Sequence, residues 1–272
     1  MRCVAGIDVG TGFTKAAVVR QRPGEAPELV AAASVRTGAR LEEAAHDALS
    51  TALHNAHADE VEVEYVATTG FGRYSIAHRD VQATEITSGA RAAHFFYPDV
   101  TTVLDVGSQS TRAISVGEGG RVVKFKMNDK CAAGSGSFIV RAAKYLQVDI
   151  EDVGDLALRA TAPQPISSVC AVLAESEIIN HVSAGVSIED IMRGIYDSLA
   201  DRAAMLLKRA GHAGPLVLIG GVARQRGLVR ALEDRLQVEV RIPEATEYAC
   251  AVGAALLGLR RLEVTGGRRA IA

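Results

Sequence analysis

The stretch DVGTGFTK, residues 8–15, lies between two apolar runs of sequence. The runs predict two strands, and the short glycine-containing turn between them predicts an antiparallel hairpin. Glycines let backbone N–H groups approach an anion, and a hydroxyl and an ammonium group nearby add to the attraction. The stretch is therefore predicted to bind phosphate groups, with Asp8 facing the accompanying metal ion. An ordinary hairpin turn is the alternative. The candidate phosphate-binding residues are Gly10, Thr11, Gly12 and Lys15.

The same pattern starts again about a hundred residues later. The stretch DVGSQ, residues 105–109, follows a strand-like run at 101–104 and precedes strand-like runs at 112–116 and 122–127. A repeated unit of strand, Asp-Val-Gly turn and returning strand indicates an internal duplication. The sequence therefore predicts two similar α/β lobes, and the repetition favours phosphate binding over a simple turn.

A third glycine turn follows the predicted strand at residues 215–219. Gly220 and Gly221 stand between that strand and a helix predicted at 225–236. Two adjacent glycines at the end of a strand allow a flat ligand such as adenosine to approach the backbone. A tight strand-to-helix turn explains the same residues without a ligand.

Two cysteines each come shortly before a predicted helix. Cys131 lies in NDKCAAGSG, residues 128–136, and Cys170 lies in SSVCAV, residues 167–172. A helix N-terminus carries roughly +0.5 charge, which stabilises a thiolate or an anionic cluster. Their spacing matches no zinc ribbon, and two thiolates do not complete a tetrahedral site. Either both are buried structural cysteines, or two chains each donate two ligands to one cluster. Cys3 and Cys250 are predicted to be core residues.

Two acidic residues follow Cys170 on its helix. Glu175 and Glu177 are interpreted either as favourable charges in a first turn or as a link between a nucleotide and the cysteine-bearing helix. The long helix predicted at 188–209 begins with Ser187, which forms a capping-box variant with Asp190. The last predicted helix spans 246–262.

The composition excludes several classes of function. The chain has 272 residues, 48% of them hydrophobic and 23% charged, with a net charge of −2. These values are typical of a globular protein without an electrostatic drive toward nucleic acid. Tryptophan is absent and aromatic residues make up 4%, which disfavours a base-stacking surface. The sequence contains no run of 18 apolar residues, so no membrane span is predicted, and the charged residue Asp8 comes too early for a signal peptide. We therefore expect a cytoplasmic protein.

The motifs resemble those of known proteins. The two Asp-Val-Gly loops and the Gly-Gly-Val turn are similar to the phosphate and adenosine motifs of the acetate kinase, sugar kinase, Hsp70 and actin superfamily. Residues 128–136 and 170–177 resemble the narrower BadF/BadG/BcrA/BcrD ATPase family. That family comprises the ATPase subunits of benzoyl-CoA reductase and the activators of 2-hydroxyacyl-CoA dehydratases. The resemblance covers about residues 3–258.

The resemblance implies a duplicated, actin-like α/β fold with ATP and Mg²⁺ in the cleft of two lobes. The first lobe would span 1–98, completed by helix 246–262, and the second would span 99–245 and carry both cysteines. It implies a dimer of identical or homologous ATPase subunits that share one [4Fe–4S] cluster, with Cys131 and Cys170 as this chain's ligands. A ferredoxin-type donor would supply electrons for catalytic acyl-CoA reductase subunits.

The resemblance also implies roles for individual site residues. Asp8 and Asp105 are expected to act at the metal, and Gln109 to orient the attacking water. The remaining expected nucleotide-binding residues are Gly107, Ser108, Gly134, Gly136, Gly220 and Gly221.

One loop departs from the usual pattern of the dehydratase activators. They have Gly-Gly-Gln-Asp in the second loop, whereas this chain has GSQS at residues 107–110, followed by Arg112 rather than lysine. Thr11 and Gly12 are closer to the smaller, D-type ATPase subunit of benzoyl-CoA reductase. The sequence therefore favours a reductase subunit over a dehydratase activator. A small-metabolite kinase of the same superfamily and a nucleotide-sensing binding module remain as alternatives.

Overall fold

The computed structural model describes residues 1–56, 62–128 and 134–266. The chain divides into two compact units. The first unit comprises the described residues of Met1–Asp99, Glu118–Arg121 and Tyr248–Ala272. The second comprises those of Val100–Gly117 and Val122–Glu247.

The first unit is built on a five-stranded sheet. Its elements up to residue 96 are β1 (Arg2–Val9), β2 (Phe13–Gln21), β3 (Glu28–Arg36), α1 (Leu41–Asn55), β4 (Tyr65–Thr69), β5 (Val81–Gln82) and α2 (Glu85–Phe96). The strand order is β3-β2-β1-β4-β5, with β1 antiparallel to β2 and parallel to β4. Seven of the eight β1 residues are buried, as expected for a central strand whose two faces are both covered.

The second unit repeats this arrangement with a longer helical insertion. Its elements are β6 (Thr102–Val106), β7 (Thr111–Gly117), β8 (Arg121–Asn128), α3 (Gly136–Leu146), α4 (Val153–Ala157), α5 (Ala171–Ser183), α6 (Ile188–Ala210), β9 (Leu216–Ile219), α7 (Arg226–Leu236) and β10 (Val240–Arg241). The strand order is β10-β9-β6-β7-β8. The central strand β6 is again antiparallel to the strand that follows it and parallel to a later one, β9.

The C-terminal helix α8 (Ala249–Thr265) packs on β1 and α2 of the first unit. Glycines allow its backbone to approach closely. A Cβ at Gly6 would lie 1.9 Å from the Ala251 carbonyl oxygen, and one at Gly253 would lie 1.8 Å from the Ser88 carbonyl oxygen. The first unit is therefore held together by backbone packing that even an alanine would disrupt.

The core of the second unit surrounds α6. Ile191, Met192 and Ile195 of this helix are fully buried in one cluster with Phe138 of α3 and Leu218 of β9. The Ser187 side chain accepts a hydrogen bond from the Asp190 N–H at 3.2 Å, which confirms the predicted cap at the start of α6.

The predicted strands and helices are confirmed, with small differences at their ends. Apolar spacing predicts a helix at 150–158, and the structure has a shorter one, Val153–Ala157, because the chain first makes a turn in which the Asp152 N–H bonds to the Asp149 carbonyl. The apolar pattern at 238–242 predicts a strand, of which the structure has only Val240–Arg241. The short strand β5 was not predicted. None of the described helices combines the length and apolarity that a bilayer crossing requires.

Candidate functional site

The first Asp-Val-Gly stretch forms the β1–β2 hairpin in the first unit. Asp8 and Lys15 face each other across the two strands, and Lys15 Nζ lies 3.4 Å from Asp8 Oδ2. Asp8 is buried, whereas Thr11 at the tip of the turn is exposed. A Cβ at Gly10 would lie 2.8 Å from the Phe13 carbonyl oxygen, so the turn needs a glycine there.

Thr37 supports this loop from behind, a role that the sequence did not indicate. Its hydroxyl donates to the Gly10 carbonyl oxygen at 2.8 Å and lies 3.0 Å from the Thr14 hydroxyl. Its N–H bonds to the Gly12 carbonyl at 3.2 Å. These bonds use the carbonyl groups of Gly10 and Gly12. The buried Thr37, 27 positions after Gly10, therefore fixes the direction of the chain in this loop.

The second Asp-Val-Gly stretch forms the β6–β7 hairpin in the second unit. Asp105 and Arg112 are register partners, as Asp8 and Lys15 are, and Arg112 Nη1 lies 2.7 Å from Asp105 Oδ2. The Gly107 N–H bonds to the Ser110 carbonyl at 2.9 Å and closes the turn. Ser108 and Gln109 are exposed at its tip.

A glycine with positive φ stands over each buried carboxylate. In the first unit Gly70, at φ +92°, follows β4; a Cβ there would lie 2.6 Å from Asp8 Oδ1 and 2.5 Å from the Val9 carbonyl oxygen. In the second unit Gly220, at φ +96°, follows β9; a Cβ there would lie 2.9 Å from Asp105 Oδ1 and 2.5 Å from the Val106 carbonyl oxygen. The duplication thus extends to the glycine that borders each aspartate. Gly70 was not singled out from the sequence.

The predicted glycines of the second unit come together around its hairpin. The Gly136 N–H bonds to the Gly107 carbonyl at 3.0 Å, and the Ser137 N–H bonds to the Ser108 carbonyl at 2.8 Å, so α3 begins directly on the loop. The Thr111 hydroxyl donates to the Gly134 carbonyl. A Cβ at Gly136 would lie 2.8 Å from Val222 Cγ2, in the turn that starts at Gly221.

The predicted nucleotide-binding residues therefore form one group in each unit. Asp8, Gly10, Thr11, Gly12 and Lys15 share the first hairpin. The other group lies on and around the second hairpin and consists of Asp105, Gly107, Ser108, Gln109, Gly134, Gly136, Gly220 and Gly221. Each group combines a buried carboxylate with exposed loop residues, an arrangement suited to a metal-bound phosphate group.

Cys170 is the N-cap of α5 and is partly exposed. Three neighbouring apolar side chains are exposed as well: Val169 at 81%, Val172 at 68% and Leu173 at 54%. Cys131 lies outside the described residues. Cys3 and Cys250 are buried, which confirms their prediction as core residues, and burial raises the pKa of the Cys3 thiol. Within the described ranges, no three His, Cys, Asp or Glu side chains are grouped as a metal site.

The two glutamates after Cys170 have different partners. Glu175 Oε1 accepts from Arg141 Nε of α3 at 2.7 Å, and its Oε2 accepts from the Tyr145 hydroxyl at 3.3 Å. Glu177 Oε2 accepts from the Ser167 N–H at 2.5 Å, ahead of Cys170. Because α5 begins at Ala171, both glutamates lie beyond its first turn, and their interpretation as favourable first-turn charges is wrong.

Comparison with known proteins assigns the family. Residues 5–258 match the sequence pattern of the BadF/BadG/BcrA/BcrD ATPase family. The chain belongs to this ATPase family. The D-type subunit of benzoyl-CoA reductase from Thauera aromatica is 39% identical over 273 residues, which cover 97% of this ATPase and 95% of that protein.

Solved structures confirm the predicted fold. The activator of the 2-hydroxyisocaproyl-CoA dehydratase from Clostridium difficile, solved with bound ADPNP, has a TM-score of 0.89 and 33% identity over 99% of both chains. The ROK hexokinase of Thermus thermophilus shares the fold alone, with a TM-score of 0.51 and 18% identity over 96% of this chain and 99% of that one. The ATPase has the duplicated actin-like α/β fold.

Proposed function

We propose that this ATPase couples ATP hydrolysis to low-potential electron transfer from a ferredoxin-type donor to the catalytic subunits of an aromatic acyl-CoA reductase. The proposal rests chiefly on one observation. The two hairpins place a buried Asp, a glycine turn and a bordering glycine in the same arrangement twice, in a chain that also has Cys170 at a partly exposed helix start. Family membership supports the ATPase part, and the similarity to the D-type benzoyl-CoA reductase chain supports the reductase part.

For the nucleotide, each hairpin would supply backbone N–H groups to phosphate oxygens. Asp8 and Asp105 would hold Mg²⁺, directly or through water, because carboxylates are the protein ligands that this ion prefers. Lys15 and Arg112 are paired with these carboxylates, so they orient each one and can share it with a metal–phosphate group. Gln109, exposed beside Ser108, would orient the attacking water.

The surroundings of Cys170 fit ligation of a cluster that two chains share. Cys170 stands at the N-terminus of the 13-residue helix α5, where the helix dipole attracts an anionic group such as a cluster. The exposed apolar side chains of Val169, Val172 and Leu173 would lose contact with water if a second ATPase subunit covered them. A [4Fe–4S] cluster held by Cys131 and Cys170 of each chain would supply a one-electron carrier whose potential depends on charge, hydrogen bonding and exposure.

The first test is the iron and acid-labile sulfide content of anaerobically purified protein. We expect about two irons per chain, that is, one four-iron cluster for two chains. Cys131→Ala and Cys170→Ala should abolish cluster binding and leave the fold intact, whereas Cys250→Ala, at a buried position, is the matched control that keeps its iron. Full iron content in either ligand variant would contradict the ligand assignment. No iron after anaerobic reconstitution would favour the small-metabolite kinase.

A dehydratase activator is the second candidate, and the 0.89 TM-score to such an activator favours it. The GSQS loop at residues 107–110 favours the reductase instead. The two roles differ in how much ATP they consume. Hydrolysis near stoichiometric with product supports a reductase role, whereas a ratio far below one identifies an activator, which is needed only to start a catalytic cycle.

A further inference from the structure

The second phosphate loop is joined directly to the first turn of α3. The first backbone N–H groups of a helix have no partner within the helix. Here two of them bond to the loop: Gly136 N–H to the Gly107 carbonyl at 3.0 Å, and Ser137 N–H to the Ser108 carbonyl at 2.8 Å. A movement of this loop when it binds or releases a phosphate group would therefore move the start of α3.

Further along α3, two side chains hold α5. Arg141 and Tyr145 are four residues apart, so they lie on one face of the helix. The Arg141 guanidinium donates to Glu175 Oε1 at 2.7 Å, and the Tyr145 hydroxyl donates to Glu175 Oε2 at 3.3 Å. Both oxygens of one carboxylate are thus used, and both partners come from α3. The pair is partly shielded from solvent, with side-chain exposures of 37% for Arg141 and 21% for Glu175.

Cys170 is fixed to α5 on both sides. The Ala174 N–H bonds to the Cys170 carbonyl at 3.0 Å, which makes the cysteine part of the first turn. Glu177 holds the Ser167 N–H at 2.5 Å, and the Ser198 hydroxyl of α6 donates to the Ser167 carbonyl at 3.2 Å. The segment before Cys170 is therefore attached to α5 through Glu177 and to α6 through Ser198, whereas Cys170 itself belongs to the first turn of α5. We therefore expect a movement of α5 to move the thiol.

We propose that Arg141, Glu175 and Tyr145 transmit the nucleotide state of the second loop to Cys170. They are positioning residues, because they act on the thiol through α5 rather than by contact. This inference rests on the proposed function only in that the loop at residues 107–110 binds the nucleotide.

The test measures how fast iodoacetamide alkylates Cys170 in the full-length protein prepared without iron. The peptide that contains Cys170 is quantified by mass spectrometry, with and without Mg²⁺ and the ATP analogue ADPNP. We expect ADPNP to change the alkylation rate by roughly fivefold or more, the lower end of common coupling strengths. The readout is the ratio of the alkylation rates with and without ADPNP. Arg141→Gln and Glu175→Gln should bring this ratio close to one, and Arg141→Lys, which keeps the charge, should restore most of the ADPNP effect.

A matched control comes from another ion pair in the same unit. Arg193 of α6 lies 2.7 Å from Asp234 of α7, with side-chain exposures of 18% and 38%. Arg193→Gln removes this ion pair and a second one to Asp197 at 2.8 Å, both of which lie off the proposed path, so it should keep the wild-type ratio. A purely structural role of Arg141 would change both alkylation rates and leave their ratio intact, which is why the ratio is the readout.

Three results would overturn the inference. The first is a wild-type alkylation rate that ADPNP does not change, although calorimetry shows that ADPNP binds. The second is a ratio of alkylation rates in Arg141→Gln and Glu175→Gln that equals the wild-type ratio. The third is a ratio close to one in the Arg193→Gln control as well. Iron content, measured on separate samples, tests the cluster independently. A protein that binds ADPNP and shows the coupling but holds no iron would contradict the electron-transfer proposal and support the link from loop to thiol.

Discussion

Replacing Gly220 by alanine should both strain the backbone and displace the groups around Asp105. Gly220 has φ +96° and ψ +166°, a region that is essentially restricted to glycine and costs another residue about 1–3 kcal/mol. The new Cβ would also lie 2.5 Å from the Val106 carbonyl oxygen and 2.9 Å from Asp105 Oδ1. Ordinary contact begins near 3.4 Å, so the Val106 carbonyl must move by roughly 0.9 Å. Misplacement by about 1 Å can reduce catalysis by about 100-fold.

The assays are urea unfolding and steady-state ATP hydrolysis, with Gly211→Ala as the control. Gly211 is the C-cap of α6 at φ +86° and ψ +47°, and among the described residues no atom lies within 4 Å of a Cβ built there. This control should lose roughly 1–2 kcal/mol of unfolding free energy and keep its hydrolysis rate. Gly220→Ala should lose on the order of 3 kcal/mol and about 100-fold in hydrolysis. Equal hydrolysis in both variants would refute the argument that Gly220 shapes the Asp105 site.

Four other substitutions test three separate parts of the molecule. Asp8→Ala and Asp105→Ala should each lower Mg²⁺-dependent ATP hydrolysis by on the order of 100-fold, because each removes a charge at the metal–phosphate site, and iron content should not change; unaltered hydrolysis in both would contradict the nucleotide assignment. Burial lowers the pKa of His212, so as the pH falls the unfolded chain takes up this proton before the folded chain does, and the free energy of unfolding should decrease below about pH 6.5. In urea unfolding at pH 7.5 and 5.5, His212→Gln should make this decrease smaller. Gly253→Ala should cost about 3 kcal/mol in the same assay, because its Cβ would meet the Ser88 carbonyl, and a wild-type midpoint would contradict the close packing of α8.

The hairpins were predictable because their signals are local. An apolar strand that ends in Asp-Val-Gly and returns after a short turn determines which residues face each other, and Asp8 does face Lys15 as Asp105 faces Arg112. The glycine pair after β9 was also visible. Its two members nevertheless differ: Gly220 borders Asp105, whereas a Cβ at Gly221 would meet no described atom within 4 Å.

The missed residues depend on contacts between distant segments. Gly70 becomes recognisable as the counterpart of Gly220 only through the parallel pairing of β1 with β4 and of β6 with β9. Thr37 reaches Gly10 across 27 residues, and Arg141 reaches Glu175 across 34. Helical and strand periodicity indicate which face of an element is buried, but they do not identify the partner on the other side.

The two hairpins are similar in geometry, but the segments that follow them differ in the helices they contain. In the first unit the segment from β3 to β4 contains α1, and β1 is covered by α1 and α8. In the second unit the segment from β8 to β9 contains α3 to α6, and α3 begins directly on the loop at residues 107–110. Cys170 belongs to this insertion. Because α3 is hydrogen-bonded to the loop at one end and ion-paired to α5 farther along, we propose that the second hairpin both binds a phosphate group and positions the Cys170 thiol. The duplication accounts for the paired carboxylates, and the insertion gives one of the two copies a connection to Cys170.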